Sequence, residues 1–72
     1  MKEIIFTVEQ EADGGFVAEA QVNEDEQIIT EANNLEELKL SIKDALACHF
    51  ENIEDMPRTV RLHFIKEEVF AI

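Results

Sequence analysis

Cysteine occurs once, as Cys48, so the chain cannot close an internal disulfide and is expected in a reducing compartment. Basic residues are scarce: six Lys and Arg stand against seventeen Asp and Glu, a formal net charge of −11. Such a surface repels nucleic-acid phosphates and anionic membranes and attracts basic partners. Long apolar runs are lacking. No segment approaches the roughly 18 apolar residues of a membrane span. Residues Met1 to Glu9 do not read as a secretory signal, because their apolar run is short and flanked by Glu3 and Glu9. A soluble, cytoplasmic protein with no direct nucleic-acid or membrane contact is therefore expected. Glycine is confined to Gly14-Gly15, with neither a helix start nor a lysine beside it to cradle a phosphate. Repeats, linkers and low-complexity stretches are also missing. The 72 residues make one domain, 1–72. A chain of this size buries only roughly 60% of its unfolded surface. Unstapled scaffolds this small gain stability by association, so a homodimer is expected.

What is present is periodic. Hydrophobic residues make up 46% of the chain, which argues against disorder. Lys2 to Gln10 alternates, with Ile4, Phe6 and Val8 on one face of a predicted strand. Asp13-Gly14-Gly15 is a hairpin turn signal. Phe16 to Val22 is a second strand, and its Ala18 and Ala20 predict a close approach by the helix. Asn23-Glu24-Asp25-Glu26 lacks the ligand alternation and glycine of a calcium loop and reads as a solvated turn. Gln27 to Glu31 is a short third strand. The helix, Asn34 to Phe50, opens on an N-cap, with Glu37 three residues on in a capping-box-like pair. Leu35, Leu38, Ile42, Ala45, Leu46, His49 and Ile53 form its apolar stripe. Pro57 cannot continue a helix, and Arg58 to Glu67 is a fourth strand in which Val60, Leu62 and Phe64 alternate with Arg61, His63 and Ile65. The expected fold is α+β: a small antiparallel sheet of three to four strands with one helix on one face, in the order β-β-β-α-β.

Chemistry-bearing residues are few. His49 sits in the apolar stripe beside Cys48, and with His63 these are the nitrogen and sulfur donors available to a metal. Adjacent helical residues point about 100° apart, so Cys48 and His49 do not converge easily. A half-buried histidine favoured by the negative end of the helix is the plainer reading. Cys48 lacks a third group to orient a thiol–histidine pair. Carboxylates occur in runs, Glu36-Glu37 and Glu67-Glu68, typical of solvated faces. No catalytic, cofactor or metal residue is assigned. Leu40 and Ala47, on a second side of the helix, and Val69, Phe70 and Ile72, in an apolar tail, are the candidate partner or dimer surface.

Phe6-Thr7-Val8-Glu9, Asp13-Gly14-Gly15-Phe16-Val17-Ala18 and the run Thr30 to Leu38 (Thr-Glu-Ala-Asn-Asn-Leu-Glu-Glu-Leu) resemble the HicB-like antitoxin domain. The resemblance covers nearly the whole chain. It implies a partial ribonuclease H-like fold and a role in toxin–antitoxin systems, where the domain binds and blocks a small basic, RNA-cleaving toxin. The turn Asn23–Glu26 differs from the Pro-Gly-Cys-like turn common in that family. The chain resembles a solitary version, without the DNA-binding domain of complete antitoxins. Ribonuclease activity is not implied, because residues 4–8 hold no acid where those enzymes place a metal-binding aspartate. The expectation is a non-catalytic interaction module for a small basic partner. The alternative is a small-ligand or metal-binding module using His49, Cys48 and His63.

Overall fold

The computed structural model describes residues 2–66 and 69–72. Glu67 and Glu68, assigned above to the end of the fourth strand and to a carboxylate run, lie outside the described residues. Strands β1 (Glu3–Gln10), β2 (Phe16–Gln21) and β3 (Gln27–Ala32) precede helix α1 (Leu35–His49). A single 3₁₀ turn, Ile53–Asp55, leads into β4 (Thr59–Ile65). The order β-β-β-α-β matches the expectation.

The first three strands form a meander. Its hairpin closes through Gly14, at φ +95°, and an Asx turn in which the Gly15 amide donates to Asp13 Oδ1 at 2.9 Å. The β2–β3 turn is held by Asn23, whose Oδ1 accepts from the Asp25 and Glu26 amides at 2.9 and 3.1 Å.

The sheet is mixed and not antiparallel throughout. Its order is β3-β2-β1-β4, and β4 pairs parallel to β1 in the register Ile4↔Val60, Phe6↔Leu62, Val8↔Phe64. The reason is geometric. Two reversals make β3 run parallel to β1, α1 returns the chain across the face, and β4 sets off again in the β1 direction. A parallel pair needs a crossover of about a dozen residues or more, which α1 supplies. The Arg58 and Thr59 amides fix the start of β4 by donating to the Lys2 carbonyl at 3.1 and 3.2 Å.

Ile4, Phe6 and Val8 of β1, Ala18 and Ala20 of β2, Ile28 of β3, and Leu38, Ile42 and Leu46 of α1 make up the core. The two alanines lie buried where α1 packs over β2 and β3, as their small size predicted. The helix stripe is narrower than the sequence suggested. Leu38, Ile42 and Leu46, four residues apart, are its buried members. Leu35 opens the helix exposed, and Ile53, beyond the last helical residue His49, is 84% exposed in the 3₁₀ turn, where the helical phase no longer applies.

Asn34 caps α1 in extended backbone, its Oδ1 accepting from the Glu37 amide at 2.9 Å. Glu37 reaches back to the Asn33 amide, one residue before the cap. Asn34→Ala is expected to lower stability by about 1 kcal/mol, read as a lower urea midpoint with unchanged slope. An unchanged midpoint would show that the cap contributes nothing.

Candidate protein-binding interface

Alternation sends the even-numbered residues of β1 to the helix side, and among the described residues no element covers the other face of the sheet. Registers place Glu3, Ile5, Thr7 and Glu9 of β1 on that open face, beside Val17, Glu19 and Gln21 of β2. Ile29 and Glu31 of β3 extend it on one side, and Arg61, His63 and Ile65 of β4 on the other. Two rows cross the sheet: Ile29–Glu19–Thr7–His63 and Glu31–Val17–Glu9–Ile65. Carboxylates and branched apolar side chains are interleaved in both.

The electrostatics of the face are one-sided. Glu3, Glu9, Glu19 and Glu31 supply carboxylates, and Arg61 is the one Lys or Arg among the described strand residues. That cation is already engaged. Arg61 Nε donates to Glu3 Oε1 at 2.9 Å and its terminal nitrogen to Glu3 Oε2 at 3.2 Å, a bidentate pair. The hydrogen bond from Arg61, followed by its charge, holds the Glu3 carboxyl below the usual carboxylate range despite partial desolvation. The contribution of this pair is therefore present above the ordinary carboxylate pKa and lost as pH falls through the depressed one. Being exposed, it adds little to stability. Among the described residues, Glu9, Glu19 and Glu31 have no such ion pair. A shallow hollow of about 540 Å³, lined by residues including Glu3, Ile5, Glu19 and Gln27, lies on this face.

The residues singled out from the sequence do not form one site. Leu40, 62% exposed, and Ala47 lie on the solvent side of α1, one stripe with Lys43 and Asp44 between them. Val69, Phe70 and Ile72 lie beyond β4, their side chains in solvent. The set Cys48, His49 and His63 is not brought together. His63 is in register with Thr7 on the open face, whereas Cys48 and His49 end the helix on the other side of the sheet. Among the described residues no three His, Cys, Asp or Glu side chains are grouped as metal ligands. His49 is half-buried, as expected, but it also has a partner that the sequence did not reveal. Its Nε2 lies 3.0 Å from Glu26 Oε2, joining the end of α1 to the β2–β3 turn. Glu26 in turn accepts from Asn23 Nδ2 at 3.1 Å, so the acidic turn is an ordered structure anchored to the helix.

The open acidic face itself escaped the sequence reading. Its signal was in view, since Glu3, Glu9 and Glu19 alternate with the core residues, but their alignment across four strands depends on register.

The chain is 37% identical to a UPF0150 protein of Thermotoga maritima over 71 residues, 99% of this chain and 94% of that protein. It is 49% identical to a UPF0150 protein of Archaeoglobus fulgidus over 51 residues, 71% of each. No family model matches the chain, and no solved structure matches it.

Proposed function

The chain belongs to the UPF0150 family, and from that premise we propose that it is a non-catalytic, cytoplasmic protein–protein interaction module of the HicB-like antitoxin kind. It binds a small basic partner on the open face of its sheet and covers the partner's RNA-binding surface. The observation that supports this reading is the open face: Glu9, Glu19 and Glu31, without ion-pair partners among the described residues, set among Ile5, Val17 and Ile29. Interleaved acids and branched apolar groups match a partner whose basic surface also needs apolar burial, and they repel nucleic acid. The net charge of −11 steers the encounter. The module works as a homodimer, which compensates for a thin core. No cofactor enters this function. Among the described residues, no helix is long and apolar enough to cross a membrane.

The test is co-expression with the product of the neighbouring gene, which this reading expects to be a small basic protein. A stable complex in which the partner no longer cleaves RNA is expected. A neighbour that fails to bind, or that cleaves RNA equally well when bound, overturns the antitoxin reading.

A further inference from the structure

One helix cannot cover this sheet. A helix is about 10 Å across and strands lie about 4.8 Å apart, so α1 cannot reach from β3 to β4, about 14 Å away. It packs over β3 and β2 and leaves β4 outside its cover. Val60, Leu62 and Phe64 share the helix-side face with the core residues of β1, yet Val60 and Phe64 are exposed and Leu62 is half-buried. Between α1 and β4 runs a groove of about 380 Å³ floored by Ile42, Leu46, Met56, Val60 and Leu62. Lys39, Lys43 and Arg58 also line it, half of the six Lys and Arg in the chain. In so acidic a protein, an apolar groove with a basic lining calls for an acidic, apolar occupant.

The chain carries such a segment. Val69 is 94% and Phe70 80% exposed, Ile72 is wholly exposed, and Glu67-Glu68 precede them in the sequence. We propose that the groove between α1 and β4 seats the Val69–Ile72 segment of a second copy of this chain, reciprocally. The inference rests on the self-association stated above and gives it a surface. The chain's own segment does not occupy the groove, since Val69, Phe70 and Ile72 are all exposed. The reciprocal exchange between two copies closes as a two-fold dimer.

The test uses the full chain and two variants, Phe70→Glu with Ile72→Glu in the tail and Lys39→Glu with Lys43→Glu in the groove, at positions that are all exposed. Light scattering on size-exclusion peaks should give a dimer for the unaltered chain. Each variant is expected to lose at least about tenfold in dimer affinity, with an unchanged circular-dichroism spectrum. An equimolar mixture of the two should form a heterodimer, since one intact tail then meets one intact groove. A dimer that survives in both variants overturns this seat and leaves self-association on another surface. An unaltered chain that is monomeric overturns both. Two monomeric variants that never form a mixed species overturn the exchange between copies.

Discussion

Phe6→Ala is expected to remove most of the stability of this domain. Phe6 is wholly buried at the centre of β1, with Ile4 and Val8 beside it and Leu38 and Ile42 of α1 among the core residues. Truncating a buried phenylalanine costs about 3–5 kcal/mol, the lost transfer energy plus that of the cavity left behind. At about 0.05–0.15 kcal/mol per residue, a 72-residue chain has only about 4–11 kcal/mol to lose. Few neighbours can collapse into the space, because β2 presents only Ala18 and Ala20 there and the helix is already seated on them. At about 4–8 °C per kcal/mol for domains of this size, the melting temperature should fall by at least about 12 °C. The comparison is Ile5→Ala, one residue earlier and 52% exposed on the opposite face, for which a cost under about 1 kcal/mol is expected. Equal losses for the two variants, measured by thermal or urea unfolding, would falsify the assignment of faces.

Glu19→Lys together with Glu31→Lys should abolish binding of the basic partner while leaving the fold intact. Glu19 stands between Thr7 and Ile29, and Glu31 opposite Val17, so a lysine at either position meets no like charge directly across the sheet. Each reversal replaces an attraction with a repulsion at the contact, and like-charge juxtaposition in an interface costs several kcal/mol. A loss of at least about 100-fold in Kd is expected, about 2.7 kcal/mol. The control reverses Glu24 and Glu54, exposed in the β2–β3 turn and in the 3₁₀ turn. Both double variants move the net charge from −11 to −7, since each reversal is worth two units. The control should slow association, more so at low salt, yet keep most of the affinity. Titration calorimetry separates the two. If both pairs weaken binding equally, the partner senses total charge and the open face is not its site.

Much of this molecule is legible in local patterns. The alternation of Ile4, Phe6 and Val8 gave both the strand and its inward face, because side chains in a strand point to opposite sides in turn. Asp13-Gly14-Gly15 placed the hairpin, and Asn34 with Glu37 placed the start of α1, because backbone conformation and capping are decided within a few residues. Ala18 and Ala20 foretold where the helix would come close. Two members of the predicted stripe are exposed: Leu35 sits in the first turn of α1, ahead of the buried Leu38, Ile42 and Leu46, and Ile53 lies beyond the end of the helix at His49.

The site was less legible. Leu40, Ala47 and the tail stand out in the sequence as apolar residues without an inward role, but the groove between α1 and β4 is lined by other residues and arises only from the packing of the helix on the sheet. His49 was placed correctly as half-buried, while its contact with Glu26 spans the helix and a turn and leaves no local signature.

The sequence by itself determined the five principal elements, the face each turns inward, and a surface charge fit for basic partners, since these follow from periodicity, turn chemistry and composition. Only the tertiary structure decided that β4 runs parallel on the free edge of β1, that Glu9, Glu19 and Glu31 share one open face, and that a groove lined by Lys39, Lys43 and Arg58 lies beside an uncovered β4. The physical reason is that strand neighbours and helix position are settled by competition for a single core. The inner faces of β1, β2 and β3 are buried beneath one helix, and what it leaves bare, β4, is set by where it lands.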